Sequence, residues 1–202
     1  MSRLAYGLVI LVGIAAMGLG GWGVVGGDGA LRLTWLIPLG GLELALDPLG
    51  GLFLALIGFA AVPASIYAAG YHESAGHGRF AYVVFVGSMC LVPLAANVMT
   101  FVIAWELMSL ASYFLVLHDR ESRESASAAW VYAVMSQIGL ACLLAGMLLL
   151  VAATGSASFA DWSRVAPSLA PGARGLPLLL LGLGFAAKAG VIPLHVWLPR
   201  AH

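Results

Sequence analysis

The sequence has 202 residues, of which 62% are hydrophobic and only 9% are charged, and its formal net charge at pH 7 is zero. Soluble domains carry about 25% charged residues, so this composition excludes an ordinary soluble domain. A mean hydropathy of +1.01 and repeated apolar runs near the length of a membrane span instead predict an all-α, multi-pass membrane protein. The balanced charge, with no basic patch or tail, argues against nucleic acid as a partner.

The apolar runs predict a single transmembrane domain over residues 1–202, a helix bundle of about six spans. The spans are expected at about residues 4–25, 49–70, 80–96, 98–117, 127–153 and 175–198. We interpret the first run as a retained span, because it is long for a signal peptide and lacks a clear cleavage site. Residues 28–47 alternate loosely around two glycines, which predicts a short β-hairpin in the first loop.

The arginines of the loops predict how the chain crosses the membrane. Five of them fall on one side and three on the other, and the richer side is the expected cytoplasmic face. The five are Arg3, Arg79, Arg120, Arg123 and Arg200, and the three are Arg32, Arg164 and Arg174.

Two charged residues, Glu106 and Lys188, stand inside the apolar runs. Each would cost several kcal/mol if it faced lipid, so both are expected to face the protein interior. In one bundle they can pair, directly or through water. A carboxylate and an amine that lie close together change each other's affinity for a proton, which makes a switchable proton relay. The alternative is a fixed salt bridge that holds two helices in register.

Other polar residues accompany this pair along the same helix faces. Ser109 and Tyr113 follow Glu106 at helical spacing, and Tyr132 and Ser136 share a face of the fifth span. These side chains can order a chain of water molecules. Ordinary hydrogen bonding between helices is the alternative reading.

The last span is predicted to break near Pro193, which removes a backbone donor and clashes with the carbonyl four residues earlier. Gly190 softens the same turn. His195 follows the break and can pass protons near neutral pH, although it can equally be an interfacial histidine with satisfied hydrogen bonds. Trp197 is interpreted as a packing or interface anchor, like Trp105 and Trp130.

The two cysteines, Cys90 and Cys142, lie in apolar runs and have no His or Cys partner nearby in sequence. We interpret them as buried thiols. No metal-ligand spacing, phosphate-binding loop or nucleophile–base pattern is present, so we expect no metal, no cofactor and no catalytic redox site in this chain.

Two segments resemble signatures of a known family. They are WELMSLASYFLV from Trp105 to Val116 and KAGVIPLHVWLPRAH from Lys188 to His202. Both are similar to the antiporter-like, proton-conducting membrane subunits of complex I, of Mrp antiporters and of membrane-bound hydrogenases. Among these proteins, the two segments most resemble the large membrane subunit of formate hydrogenlyase and hydrogenase-4. The resemblance covers roughly residues 45–202.

The resemblance implies a fold of two inverted five-helix repeats. This chain would carry most of the first repeat, without the family's first helix, and none of the second. It ends directly after LPRAH with no closing loop, and we expect it to be a piece of a larger protein.

The resemblance also implies a role for each site residue. Glu106 would tune the charge of Lys188, Lys188 would take and release a proton, and His195 would connect Lys188 to the next relay site. The break from Gly190 to Pro193 would supply unpaired carbonyls, water and flexibility.

The function implied is proton translocation in a redox-driven complex of the hydrogenase-4 or NADH:quinone oxidoreductase type. The expected partners are other membrane subunits of a respiratory or hydrogenase complex, the lipid bilayer, and protons or Na⁺. The expected location is a bacterial or archaeal cell membrane. The alternatives are an Mrp-type cation/proton antiporter subunit and a structural membrane anchor.

Overall fold

The computed structural model describes residues 2–33, 41–71, 76–117 and 123–201. The chain divides into two compact units, Met1–Leu115 and Val116–His202, and each is described by itself. The expectation of a single transmembrane domain over residues 1–202 stays a prediction.

The first unit consists of long apolar helices and one small antiparallel sheet. In chain order its elements are α1 (Ser2–Val24), β1 (Gly29–Leu33), β2 (Leu42–Leu46), α2 (Pro48–Tyr71), α3 (Gly76–Leu91), a single 3₁₀ turn (Val92–Leu94) and α4 (Val98–Val116), whose last residue falls in the second unit. β1 and β2 pair with Gly29 opposite Leu46 and Leu33 opposite Leu42, as the predicted hairpin requires.

Glycines let α1 and α2 pack closely. A Cβ atom at Gly20 would lie 2.5 Å from both the Ala55 nitrogen and the Gly51 oxygen, so no larger side chain fits there. Small residues at helix interfaces are the usual means of close approach in membranes, where apolar surface alone drives little association. Around this contact lies a buried apolar core, formed by Val9, Ala16, Leu46, Leu54, Ala61, Val86 and Cys90.

The start of α4 is attached to the hairpin by polar contacts. Asn97 precedes the helix, and its Oδ1 accepts the Thr100 N–H at 2.8 Å, which caps a helix end whose first donors have no helical partner. The Asn97 amide also donates to the Gly41 carbonyl at 3.2 Å. The Glu43 N–H donates to Thr100 Oγ1 at 2.9 Å. The hairpin therefore fixes where the helix that carries Glu106 begins.

The second unit contains two long antiparallel helices and two short ones. Its elements are α5 (Arg123–Thr154), α6 (Phe159–Val165), a 3₁₀ turn (Ala166–Ser168), α7 (Pro171–Ala189) and α8 (Leu198–Ala201). α5 and α7 meet through small residues: a Cβ atom at Gly184 would lie 2.5 Å from Leu143 Cγ and 2.8 Å from the Gly139 oxygen. This close contact holds the end of α7 against the face of α5.

The predicted fold class, an all-α multi-pass bundle with a β-hairpin in the first loop, is confirmed. Within the described ranges four helical stretches are long and apolar enough to cross a membrane: Leu4–Val24, Pro48–Gly70, Val98–Val116 and Ala126–Thr154. Gly78–Leu94 is a shorter apolar stretch. The figure of six spans stays a prediction.

The last predicted span differs from the structure at both ends. It was expected over about 175–198, but α7 begins at Pro171 and ends at Ala189. Proline suits the first turn of a helix, because its missing N–H would have had no partner there. The early end has its cause at Gly190, described below.

Candidate functional site

The helix break is built around Gly190. This residue has φ +69°, in the left-handed region that favours glycine. The Gly190 N–H donates to the Ala187 carbonyl at 3.4 Å and the Val191 N–H to the Ala186 carbonyl at 3.0 Å. These two bonds form the Schellman ending of an α-helix. The break is therefore present, but the helix stops before Pro193, which lies beyond it and follows a cis peptide bond.

Lys188 lies in the last turn of α7 and is half-buried. Its Nζ donates a hydrogen bond to Tyr132 Oη at 2.7 Å. The same ammonium lies 5.1 Å from the centre of the Tyr132 ring, within the range of a cation–π contact. Its place near the carboxyl end of a helix is favourable for a cation, since the helix dipole is negative there. The buried phenol of Tyr132, 4% exposed, thus accepts a hydrogen bond from the ammonium on α7.

Trp197 completes this arrangement from beyond the break. Its Nε1–H donates to the Ala187 carbonyl at 2.9 Å, next to Lys188 in the chain. Its ring meets the Tyr132 ring edge to face, with centroids 5.3 Å apart and an interplanar angle of 70°. The sequence predicts a packing or interface anchor for Trp197, but it does not predict this hydrogen bond to a helix end. The signal in the sequence was a tryptophan a few residues after the predicted break. The last carbonyls of a helix lack helical partners, so one of them can accept the indole N–H.

Two further predicted residues, Ser136 and His195, carry buried polar atoms in this unit. Ser136 lies one helical turn from Tyr132 on α5 and is 9% exposed. Among the residues that the structure describes, neither Ser136 Oγ nor His195 Nδ1 has a hydrogen-bond partner. Leaving a buried polar group unsatisfied costs about 1–3 kcal/mol. Ordered water is the usual partner of such a group.

Glu106 lies in the first unit, on α4. It is half-buried, and its carboxylate atom Oε1 is shielded from solvent. Ser109, one turn further along, is 4% exposed, and Tyr113 packs edge to face against Phe114 at 5.5 Å. All three residues lie on α4, and the shared face and the proton path predicted for them stay predictions.

The predicted pairing of Glu106 with Lys188 stays a prediction, because the two residues belong to different units. The same holds for the relay roles of Glu106, Lys188 and His195.

Over the described ranges, no three His, Cys, Asp or Glu side chains come together as a metal site. Cys90 is a buried free thiol in the core of the first unit, and Cys142 is a half-buried free thiol on α5. The interaction that the geometry shows at Lys188 is its hydrogen bond to Tyr132.

Comparison with known proteins agrees with this architecture. The family model described as NADH:quinone oxidoreductase/Mrp antiporter, transmembrane, matches residues 95–202. An uncharacterised protein of Mycobacterium tuberculosis is 43% identical over 194 residues, covering 95% of this chain and 30% of its own length. Hydrogenase-4 component B of Escherichia coli is 35% identical over 166 residues, covering 80% of this chain and 24% of its own length.

A solved structure of the Mrp complex from a Dietzia species shares the fold. The TM-score is 0.81 at 20% identity, over 98% of this chain and 38% of that one. The chain therefore spans about a quarter to a third of the length of the curated relatives named here.

These observations define an integral, multi-pass membrane protein in which Lys188 lies at a helix break. The chain belongs to the NADH:quinone oxidoreductase/Mrp antiporter transmembrane family. The predicted family resemblance and the predicted location as an integral membrane protein are both confirmed.

Proposed function

We propose that this chain forms part of a proton-translocating subunit in a redox-driven, multi-subunit membrane complex, and that Lys188 carries the proton. The family match and the similarity to hydrogenase-4 component B support the class of complex. The hydrogen bond from the Lys188 ammonium to Tyr132 Oη, beside a helix break, supports the site. Oxidation and reduction would take place in other subunits.

The Lys188–Tyr132 pair can accommodate both protonation states of the amine. A charged ammonium donates to the phenol oxygen, as at 2.7 Å in this structure. A neutral amine has a lone pair, which can accept the phenol O–H, because a tyrosine hydroxyl both donates and accepts. The proton lost from Lys188 would pass to water or a nearby base, and the amine would regain one from the other side of the path.

Water beside this pair would provide the route. Ser136, four residues after Tyr132, and His195, seven residues after Lys188, carry buried polar atoms, and water molecules there would satisfy them. Glu106 would stabilise the charged form of Lys188 by attraction. The break from Gly190 to Pro193 would supply flexibility and polar backbone atoms.

The test uses the full-length parent complex in sealed vesicles, with proton uptake and electron transfer recorded together. We expect Lys188→Met to lower proton uptake on the order of a hundredfold, as loss of a positioned proton-transfer group does. Arg174→Met is the matched control, since it also removes one cation from α7 but at the far end of the helix.

Proton uptake that matches wild type in an assembled Lys188→Met complex would contradict the proposal. That result would instead favour a structural membrane anchor, in which Lys188 only supports packing.

A second candidate function is a subunit of a cation/proton antiporter, because the matched family also includes Mrp antiporters. In that case proton movement in the vesicles would require a Na⁺ or K⁺ gradient and would continue without electron transfer. The redox-driven proposal expects the opposite dependence. The proposed partners are thus other membrane subunits, the surrounding lipid, and either protons alone or protons with Na⁺.

A further inference from the structure

We propose that Trp197 is a positioning residue that holds Lys188 through Tyr132, and so links the segment after the helix break to the cation. As a role in proton transfer this inference rests on the proposed function. As a statement about what holds Lys188 it can be tested separately.

The first step is how Trp197 is fixed. The indole N–H donates to the Ala187 carbonyl at 2.9 Å, and that same carbonyl also accepts the Gly190 N–H. Ala187 is 4% exposed and packs against α5, where a Cβ at Gly139 would lie 3.3 Å from its Cβ. The indole is therefore anchored to a buried residue of α7 that packs on α5, although Trp197 itself lies eight residues beyond the end of that helix.

The second step is what Trp197 does to Tyr132. Its ring meets the phenol edge to face at 5.3 Å, the offset arrangement that aromatic pairs prefer. The Lys188 ammonium also contacts Tyr132: it lies 2.7 Å from the phenol oxygen and 5.1 Å from the ring centre. Tyr132 thus contacts both an aromatic ring and a cation, and we expect displacement of either one to move the hydrogen bond.

The third step is that Lys188 and Trp197 lie on opposite sides of the break along the chain. Lys188 precedes Gly190, whereas Trp197 follows it. A change in the backbone between them displaces the indole relative to Tyr132, because the φ angle of +69° at Gly190 sets the direction of the chain. Trp197 would therefore transmit a change in the backbone at the break to Lys188, through its contact with Tyr132.

The experiment measures how fast Lys188 reacts with a small acetylating reagent in the assembled parent complex. Lys188 is the only lysine among these 202 residues, so mass spectrometry of its peptide identifies the site. We expect Trp197→Phe, which keeps an aromatic ring but loses the indole donor, to raise the labelling rate about threefold to tenfold, the effect of losing one hydrogen bond. Tyr132→Phe is expected to raise it at least as much.

The decisive comparison is the double variant. If Trp197 acts through Tyr132, then Tyr132→Phe with Trp197→Phe is labelled no faster than Tyr132→Phe alone. Trp130→Phe is the matched control: this tryptophan lies on α5 but is 67% exposed, and its replacement is expected to leave labelling unchanged.

A second perturbation keeps the test decisive if Trp197→Phe prevents assembly. Gly190→Ala strains the left-handed position while leaving room for the added methyl, whose nearest atom would be Leu198 Cδ2 at 3.6 Å. It is expected to raise labelling in the wild type and to add nothing in Tyr132→Phe.

Labelling of assembled Trp197→Phe or Gly190→Ala at the wild-type rate would overturn the inference, and so would effects that multiply with Tyr132→Phe. Neither result depends on proton uptake by Lys188→Met, so the inference and the proposed function fail separately.

Discussion

At the scale of single residues, Asn97 uses both ends of its side chain. Its oxygen caps α4, and its amide donates to the Gly41 carbonyl before β2. The residue is 3% exposed, so water cannot replace either bond. One buried amide therefore joins the hairpin to the helix that carries Glu106, and its loss affects both contacts together.

We predict that Asn97→Ala lowers the free energy of unfolding by about 2 kcal/mol, from one lost cap and one unsatisfied buried carbonyl. Asn97→Ser is expected to cost about half as much, because a serine caps the helix but does not reach Gly41. The measurement is denaturant unfolding of the purified protein in detergent.

The control is Ser163→Ala, which removes an exposed bond from a hydroxyl to the Ala160 carbonyl and is expected to cost less than about 0.5 kcal/mol. Equal stability of Asn97→Ala and Ser163→Ala would mean that the hairpin does not hold α4.

At the scale of elements, the position of Lys188 depends on how closely α7 approaches α5. The contact runs through Gly139, Gly146 and Gly184, where Cβ atoms would meet the facing helix at 3.3 Å or less. Gly182, two residues from Gly184 on the same helix, would meet nothing within 4 Å. The helix thus has one face that requires glycine and another that does not.

Gly184→Ala is expected to destabilise the second unit by about 1–3 kcal/mol, since its methyl would collide with Leu143 and the Gly139 carbonyl. Gly182→Ala is the matched control and should be neutral or slightly stabilising, because alanine favours a helix by about 1 kcal/mol over glycine. Thermal unfolding in detergent and the yield of assembled complex are the measurements. Identical behaviour of the two variants would show that the helices do not pack in this way.

The sequence predicts α4 well, because an apolar run bounded by Asn97 and a charged loop indicates both of its ends. It predicts the end of α7 less well. Gly190 and Pro193 are both visible, and the proline has the larger local effect on a helix. The structure ends the helix at the glycine, through hydrogen bonds to Ala186 and Ala187 that form only once the chain has turned back.

α6 lies between the predicted spans at 127–153 and 175–198, in a stretch containing Gly, Ser and Pro that the sequence indicates as a loop. It is held by contacts that spacing alone does not reveal: Trp162 Nε1 donates to the Ser156 carbonyl at 2.7 Å, and Arg164 pairs with Asp161 at 2.6 Å.

At the scale of the whole molecule, the sequence indicates candidate site residues more readily than the contacts between them. Lys188 and Tyr132 are recognisable as polar groups in apolar runs, but they are 56 positions apart, and their hydrogen bond follows from the packing of α5 on α7. Trp197 is one of six tryptophans, and its position in the sequence does not reveal its contact with Tyr132. The pairing of Glu106 with Lys188 concerns both units and stays a prediction.

The orientation of the chain in the membrane gives a last prediction. α5 has 32 residues. At about 1.5 Å per residue its length is roughly 48 Å, more than the hydrocarbon core of about 30 Å. We therefore expect its two ends to project on opposite sides of the membrane, with exposed Ser127 near one end and exposed Ser163, on α6, beyond the other. The arginine distribution predicts that the end near Ser127 is cytoplasmic, because Arg120 and Arg123 are close to it in sequence.

The test replaces Cys90 and Cys142 with alanine and then introduces one cysteine, as Ser127→Cys or Ser163→Cys. We expect a membrane-impermeant maleimide to label Ser163→Cys in right-side-out vesicles and Ser127→Cys in inside-out vesicles. The two variants serve as controls for each other, since each should be labelled only where the other is not. The reverse pattern would invert the orientation and place the loop after α4 outside the cell. Labelling of both from one side would mean that α5 does not cross the membrane, because a spanning helix of this length separates its ends by the full bilayer.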